Sequence, residues 1–485
     1  MPAIITDRFR IHNSEQFQEA FSEASPNTMY LGIGRPQPFA TSTRGDARTN
    51  NEGTDTSPVT PADNLNAQHF PFDDMLAAKK IGTSDVSFAI PRRNWITGTI
   101  YDYYRHDYGE YITGGTTAQT SNSGASTLFD ATFYVLTTDR NVYKCLDNNS
   151  NAASTVEPTG TSTAILAPAD GYKWKYMYTL SASQQANFLS TDFMAVATDS
   201  TVSSAAVAGQ IDIIKIKTTG TGGTNGIHAG VAIKGDGSSG VCSVTVAGGV
   251  VTAVTVTAAG TGYTYGTISN AEIVAAGATN LTGAELDVII SPNGGHGFNA
   301  VKELGGFYVM LNTSLEGTES SNSGDMTVSN DFRKITLIRD PESSSVAATA
   351  NTLRATRAIN ITGVTGSYVV DEKISQATTG AVGKVVEWDS TNSILYYIQT
   401  RHNDEGLDSN GNQTAFSGTN IVTGAGGATG TPTTSTSTIN NVSFTSGYSA
   451  SEIDADSGDI LYIENRAPIT RAADQTENIK LVIEF

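Results

Sequence analysis

The first residues that could do chemistry form a tyrosine-rich run, residues 101–108, which holds His106 among carboxylates. A histidine beside Asp102 or Asp107 has the residue types for acid–base catalysis or for binding a metal ion. A metal site needs further ligands at a defined spacing, and no second histidine lies within that spacing of His106. We therefore favour a run that packs or contacts a partner, because Tyr and Arg dominate interface energetics.

Two glycine-rich runs are weaker candidates. Residues 32–36 resemble part of a phosphate loop, but they lack the third glycine and the following helix that direct backbone N–H groups at a phosphate. We expect a structural turn there. Residues 294–297 surround His296 with glycines but supply no second catalytic group. We expect a hinge at that point.

Two acidic loops resemble calcium sites. Residues 454–459 and 408–412 offer oxygen ligands, but neither run has the EF-hand glycine at its sixth position, and calcium binding stays open. The sequence has no serine-hydrolase, zinc-protease or Walker signature. The neighbours Asp73 and Asp74 do not establish carboxylates on both sides of a glycosidic bond. We expect no catalytic residue, no metal site and no cofactor.

Composition limits the partners. The 485 residues include 48 Asp and Glu but only 29 Lys and Arg, a formal net charge of −19. That charge disfavours nucleic acid and anionic membranes, and no small-molecule substrate is indicated. We find no signal peptide and no membrane-spanning run of about 18 apolar residues. Cys145 and Cys242 stand far apart and form no metal-ligand pattern. We expect a soluble protein made in a reducing cytoplasm.

The elements that position these residues are predicted to be mainly strands. The chain has 48 glycines and only 16% charged residues, a composition typical of short strands joined by tight turns. Residues 478–485 alternate apolar and polar side chains with a period of two, so we expect this run to pair inside a sheet. Residues 459–464 are apolar on both faces and predict an interior strand, ended by a turn at 465–468.

Helices are predicted to be few and short. One should begin at Asn13 or Ser14 and end near Ala24, with Phe17 and Phe21 on its packed face. A second is predicted over residues 71–81 and should end at Gly82. The polar loop 40–68 is too long for a plain connector in a compact domain, so we expect it to be functional, swapped or disordered.

The chain changes character twice. Residues 201–295 are rich in Gly, Ala, Thr and Val, and Gly248-Gly249 predicts a β-hairpin turn. Residues 358–449 contain a low-complexity part, 410–438, that we expect to be poorly ordered. We predict a mainly β protein with a few short helices (α+β), in which two small inserted β modules interrupt a discontinuous β-sandwich-like core. The core consists of residues 1–200, 296–357 and 450–485.

Several sequence blocks resemble a known family. The most specific blocks are residues 458–469 (GDILYIENRAPI) with 474–477 (DQTE), 90–95 (IPRRNW) and 170–176 (DGYKWKY); the weaker ones are 32–35 with Pro38-Phe39, and 142–147. In this order they resemble the baseplate wedge subunit of T-even-type contractile-tailed bacteriophages. The resemblance covers residues 1–200, 296–345 and 450–485, and leaves out the two Gly/Thr-rich inserts.

The resemblance implies a structural protein of the virion tail baseplate that has no catalytic residues to carry over. It implies a homodimer that connects other baseplate wedge proteins and takes part in the rearrangement that triggers sheath contraction. Two other classes stay open, a tail fibre or adhesin that binds the host and a tail-associated polysaccharide depolymerase. A trimeric mass would favour the fibre, and a groove lined by paired carboxylates would favour the depolymerase.

We predict that the dimer interface draws on loop 40–68 and on the neighbouring aromatic and basic residues. A closed two-fold contact uses the same patch on both chains. The candidates are Arg92, Arg93, Trp95, Tyr101, Tyr103, Tyr104, Arg105 and Tyr108. The alternative is that Arg92 and Arg93 only form surface ion pairs, each worth about 0–1 kcal/mol.

Overall fold

A computed structural model describes residues 3–23, 27–39, 53–111, 115–316, 330–400, 405–470 and 475–485. Strands far outnumber helices in these ranges, so the prediction of a mainly β protein with a few short helices is confirmed. The helices are α1 Asp7–Glu19, α2 Leu65–His69, α3 Pro71–Asp74, α4 Ala182–Phe188, α5 Ser200–Ser204, α6 Asn270–Ala275 and α7 Ala300–Leu304.

The strands are short, as the many glycines predict. The first sixteen are β1 Met29–Gly34, β2 Gly53–Thr54, β3 Ser57–Pro58, β4 Met75–Ile81, β5 Val86–Pro91, β6 Tyr134–Leu136, β7 Asn141–Asp147, β8 Lys173–Thr179, β9 Phe193–Ala195, β10 Ile213–Thr221, β11 Gly226–Ala232, β12 Lys234–Gly235, β13 Ser238–Ala247, β14 Val250–Thr261, β15 Gly266–Thr267 and β16 Thr282–Ile289. The others are β17 Tyr308–Glu316, β18 Phe332–Arg339, β19 Glu342–Ser343, β20 Val346–Ala347, β21 Thr352–Arg354, β22 Arg357–Thr365, β23 Lys373–Gln376, β24 Ala381–Asp389, β25 Ile394–Ile398, β26 Val422–Gly424, β27 Thr429–Pro432, β28 Ser437–Ile439, β29 Val442–Phe444, β30 Tyr448–Ser449, β31 Asp459–Ile469 and β32 Thr476–Glu484.

The chain divides into two compact units. Unit 1 comprises Met1–Gln18, Ser87–Met310 and Val482–Phe485, and unit 2 comprises Glu19–Val86 and Leu311–Leu481. The core and module boundaries predicted from the sequence stay a prediction.

Unit 1 contains an antiparallel three-stranded sheet, β6-β7-β8, and the pair β5–β9 at one end of the sheet β32-β17-β5-β9. Its core is a cluster of buried aliphatic and aromatic side chains that includes Ile90, Phe133, Tyr178 and Leu304. The segment between β10 and β16 has its own cluster, centred on the antiparallel sheet β11-β13-β14. Strands β13 and β14 are joined at Gly248-Gly249, so the predicted hairpin is confirmed.

Unit 2 contains a five-stranded antiparallel sheet in the order β21-β4-β1-β18-β31. Strand β1 is buried along its whole length and ends in the glycine-rich run first compared with a phosphate loop. A Cβ on Gly34 would lie 2.8 Å from the Asp74 carbonyl oxygen, so glycine allows β1 and β4 to approach closely. The run is therefore structural, but Gly32 and Gly34 belong to strand β1 and not to the predicted turn.

Arg35 continues this run, and its side chain is only 2% exposed. Its Nε donates to the Gln37 carbonyl at 3.1 Å, and the guanidinium lies 5.1 Å from the centre of the Phe39 ring. The Asp74 carboxylate is 3.9 Å from the guanidinium. The conspicuous glycine–arginine sequence thus serves internal packing.

The part of unit 2 that runs from β22 to β30 contains a small barrel. Among the described residues, six strands form a closed ring in the order β25-β24-β23-β26-β27-β22, and β22 pairs again with β25. Side chains fill the interior, as expected for a barrel of this size, and they include Ile359, Ile374, Val385 and Leu395. The ring contains β26 and β27, which lie within residues 410–438, so the prediction that this part is poorly ordered is wrong.

Two helix predictions need correction. The first helix spans Asp7–Glu19 instead of starting at Asn13 or Ser14, because Thr6 accepts a hydrogen bond from the Phe9 N–H and begins the helix earlier. The helix predicted over 71–81 stops after one turn at Asp74 and continues as strand β4. Strand β4 pairs on both sides, with β1 and β21, so sheet pairing overrides the local helical preference.

The strand predicted at 459–464 is longer and less buried than expected. It runs through the predicted turn as Asp459–Ile469 and is the last strand of its sheet in the described part of the chain. Pro468 lies near its end, which an outer strand tolerates because it has no ladder hydrogen bond to lose there. Strand β32 likewise lies at one end of its sheet, although Ile479 and Leu481 are buried as the alternating pattern predicts.

Candidate interaction surface

The predicted interface residues follow strand β5, and the structure divides them into two groups. Tyr101, Tyr104 and Arg105 are each 5% exposed or less, so they are held inside unit 1. The partly exposed candidates are Arg92, Arg93, Trp95, Tyr103 and Tyr108. The described part of loop 40–68 contains β2, β3 and α2, and residues 40–52 lie outside the described residues. The predicted role of these candidates in a dimer stays a prediction.

The two arginines are tied to the fold by hydrogen bonds to backbone carbonyls. Arg92 donates from Nη1 to the Ser190 carbonyl at 2.8 Å. Arg93 donates from Nη1 to the Ala131 carbonyl, and its guanidinium lies 4.6 Å from the centre of the Tyr134 ring. Backbone carbonyl oxygens of unit 1 thus supply much of the hydrogen bonding of Arg92 and Arg93.

Trp95 starts a tightly bonded loop. Its N–H donates to the Leu136 carbonyl at 2.9 Å, and its indole Nε1 donates to Ser154 Oγ at 3.1 Å. One residue later, the Ile96 N–H donates to the Tyr101 hydroxyl at 2.6 Å. Buried Tyr101 therefore supports the loop from inside unit 1.

A second segment, residues 152–156, is hydrogen-bonded alongside this loop. The Gly98 N–H donates to the Ser154 carbonyl at 2.7 Å, and the Ser154 N–H donates to the Thr99 carbonyl at 2.9 Å. Asp170 then fixes the second segment, because its Oδ2 accepts from the N–H groups of Thr155 at 3.0 Å and of Val156 at 3.1 Å. Two of the sequence blocks singled out above, 90–95 and 170–176, thus meet to hold one loop pair.

The loop pair presents aliphatic side chains outward. Ile96 is 61% exposed, Ile100 is 42% exposed and Val156 is 37% exposed. We call these three residues the aliphatic patch. Sequence reasoning missed them, since single Ile and Val residues in a Thr- and Gly-rich stretch give no periodic signal. Sequence reasoning singled out instead Trp95 and Tyr101, which support the loop pair.

The rest of the tyrosine run is a charged network within unit 1. Arg105 donates to both oxygens of Asp107, at 2.8 and 2.7 Å, and to Asp287 Oδ2 at 2.7 Å. Burial opposes the charge of Arg105, but these carboxylates outweigh it and raise the pKa of the guanidinium. Tyr108 donates to the Tyr103 carbonyl at 2.8 Å. The run is thus largely occupied by structural bonds.

A second charged cluster surrounds the predicted hinge at residues 294–297. Lys144 is fully buried and donates to the Glu303 carboxylate. Both Glu303 oxygens also accept from the Gly297 N–H, at 2.9 and 3.0 Å, and Oε1 accepts from the Asn299 N–H at 3.2 Å. Burial lowers the pKa of Lys144, while Glu303 opposes that shift. The ion pair thus connects residues 297–299 to strand β7.

His296 lies beside this pair. Its Nε2 is 4.0 Å from Asp212 Oδ2, and its ring packs edge-on against Tyr104 with 5.0 Å between ring centres. Burial lowers the pKa of His296 well below its ordinary value, and Lys144 and Lys175 add to that effect. A neutral imidazole enclosed in this way is part of the packing of unit 1.

Carboxylates of the two calcium-like loops accept backbone hydrogen bonds, in the first loop from a distant turn and in the second from the loop itself. Asp454 Oδ2 accepts from the Ser345 N–H at 2.6 Å. Asp408 Oδ1 accepts from the N–H groups of Asn410 at 2.8 Å and of Asn412 at 2.9 Å. Within the described ranges, no group of three or more His, Cys, Asp or Glu side chains is arranged to hold a metal ion. Among the same residues, no helix has the length and apolar character to cross a membrane.

One comparison with known proteins gives a match. The family model Phage-Gp8, described as bacteriophage T4 Gp8, matches residues 3–150 and 407–485. The blocks 90–95 and 458–469 lie within these ranges, whereas 170–176 lies outside them. No curated protein matches the chain.

Proposed function

Because this chain belongs to the family of the bacteriophage T4 baseplate wedge protein Gp8, we propose that it forms a homodimer that connects other wedge proteins. A protein of this family is a structural component of the tail baseplate, and its location is the virion tail. The family match at both ends of the chain is the observation that carries the proposal. Its finer parts are that the dimer assembles with other wedge proteins and takes part in the rearrangement that triggers sheath contraction.

Two structural features support a role in assembly. The aliphatic patch is an exposed apolar surface on a pair of loops joined by backbone hydrogen bonds, and such surfaces often mark protein contacts. The formal charge of −19 keeps copies of the chain apart in solution except where a surface is apolar or mixed in sign. A subunit that contacts its neighbours at a few specific places needs both features.

Light scattering on the purified full chain tests the homodimer. At micromolar concentration we expect twice the mass of one chain. A monomer would contradict the homodimer, and a trimer would favour the fibre class instead.

Electron cryo-microscopy of tails from the phage that encodes the chain tests its assembly role. We expect density for two copies in contact within each wedge of the baseplate. Density elsewhere in the tail, or single separated copies, would contradict the proposal.

We also propose that the chain has no catalytic activity. The structural role of its family supports this, and the carboxylates of Asp73 and Asp74 are buried instead of lining an open groove. Incubating the pure protein with host polysaccharide should leave the polymer length unchanged. Measurable turnover would contradict the proposal.

A further inference from the structure

The aliphatic patch is an exposed apolar surface of unit 1 that lies on hydrogen-bonded backbone. Its three side chains sit on backbone that is fixed by hydrogen bonds between two segments and by the Asp170 carboxylate. A surface that is already ordered loses little conformational entropy when it binds. The patch therefore has the property expected of an interface centre, which is rigid apolar surface without any catalytic group beside it.

We propose that the aliphatic patch of Ile96, Ile100 and Val156 is the centre of a two-fold contact with the same patch of a second copy of this chain. The inference rests on the proposed homodimer and adds where the two copies meet. A two-fold axis places each patch against its own equivalent, so the patch must be self-complementary. Aliphatic side chains satisfy that condition because they pack against each other without a directional partner.

Two charged residues close to the patch in sequence also fit a second copy. Arg92 precedes the Trp95 loop, and Glu157 directly follows Val156; both are partly exposed. A two-fold contact can place the cation of one copy near the anion of the other, so both signs of charge are usable at the rim. Two acidic faces would repel each other in a chain of net charge −19.

The patch has only three residues, so it can form only the centre of a larger contact. A typical stable interface involves about 20 to 30 residues a side, and a few central residues carry most of the binding energy. Three aliphatic side chains can supply the apolar part of that group. Partly exposed Arg92 and Trp95 are close to them in the chain and would supply the Arg and Trp that are common there.

The test places like charges where the two patches meet. In the full chain, the double variant Ile96→Asp, Ile100→Asp should weaken the homodimer at least about tenfold, measured by sedimentation across a concentration series. The matched control is Ile227→Asp, the same change at an aliphatic residue that is 73% exposed in strand β11. The control should dimerise as the unchanged chain does.

A second variant keeps the test decisive if the aspartates disturb folding. The pair Ile96→Ala, Ile100→Ala removes the apolar contact without adding charge, and it too should weaken the dimer while the unfolding temperature stays close to that of the unchanged chain.

The outcomes separate the two proposals. If the unchanged chain is a monomer at micromolar concentration, the proposed homodimer fails. If the unchanged chain is a dimer and both double variants dimerise as tightly, the dimer stands and the location inferred here is overturned.

Discussion

At the scale of single residues, a buried ion pair joins strand β7 to helix α7. This helix lies just after the segment 201–295. Lys144 and Glu303 are both buried, and the carboxylate receives backbone N–H groups as well as the ammonium. A buried pair of this kind contributes little net stability when intact, but removing one partner leaves the other charge without compensation.

We therefore expect Glu303→Ala to lower the free energy of unfolding by about 3–5 kcal/mol. The loss arises from the uncompensated ammonium of Lys144 and from the two N–H donors left without an acceptor. Urea unfolding followed by circular dichroism measures the change. Glu285→Ala is the matched control, because its pair with Lys217 is exposed on both sides and should cost about 0–1 kcal/mol. Equal effects of the two variants would contradict this interpretation.

A second residue gives a pH dependence. Burial, with Asp389 nearby, raises the pKa of Glu387 from 4.5 to about 8, and Glu387 Oε2 is buried without a hydrogen-bond partner among the described residues. The folded state thus holds a proton that the unfolded state has lost above about pH 4.5. The stability linked to this proton is fully present below the unfolded pKa and is lost as the pH rises through the folded pKa.

Glu387→Gln mimics the protonated carboxyl. It should therefore be more stable than the unchanged chain at pH 8 to 9, by at least about 1.4 kcal/mol, which corresponds to one pKa unit. Near pH 5 the difference should largely disappear. Thermal unfolding at the two pH values measures it, and a difference that does not change with pH would show that the carboxyl is not buried as described.

At the scale of elements, close approach of strands decides where glycine is required. Strand β1 lies between β4 and β18, and its register with β4 shifts at Ile33 and Gly34. A Cβ on Gly34 would meet the backbone at Asp74 and Met75, at 2.8 and 3.0 Å, where no side chain can move aside.

Gly34→Ala should therefore destabilise the protein by about 1–3 kcal/mol, the usual cost of overpacking. Gly82→Ala provides the control, because its nearest neighbour would be the end of the Asp85 side chain at 3.5 Å and its φ of −99° suits any residue. That change should stay within about 0.5 kcal/mol. Chemical denaturation of both variants distinguishes them, and a harmless Gly34→Ala would mean that β1 and β4 are further apart than described.

At the scale of the whole molecule, the barrel bears on the predicted insertion of residues 358–449. The first and last strands of the module are neighbours, since Ala358 pairs with Ser449 and Ile359 pairs with Tyr448. Insertions are tolerated where the entering and leaving chain lie side by side. The ring of strands also closes on itself, so the module has its own interior.

We expect residues 358–449, produced alone, to fold into a β protein with a cooperative thermal transition. The remaining chain, closed with a short Gly-Ser linker, should also stay folded. Circular dichroism of both products measures the outcome. The control is residues 358–424 produced alone, because that cut removes β27 and opens the ring, so it should show no cooperative transition. An unfolded module, or a folded control, would contradict the independence of the barrel.

The sequence by itself determined the class of this protein, because composition and short-range pattern carry that information. Abundant glycine, alternating apolar residues and hairpin turns predicted a mainly β chain, and the hairpin at Gly248-Gly249 and the buried face of residues 478–485 follow from that alternation. Motif blocks at the two ends indicated the baseplate family, which the family match confirms.

Only the tertiary structure decided which residues are outside. The segment 71–81 has a helical pattern, but two neighbouring strands turn most of it into β4, and closure of the barrel orders residues that composition alone suggests are loose. Tyr101, Tyr104 and Arg105 have the residue types of an interface, yet all three are buried. Tyr101 supports a loop whose isoleucines reach solvent, whereas Arg105 is bonded to Asp107 and Asp287. Exposure depends on contacts between residues far apart in the chain, and local pattern does not contain them.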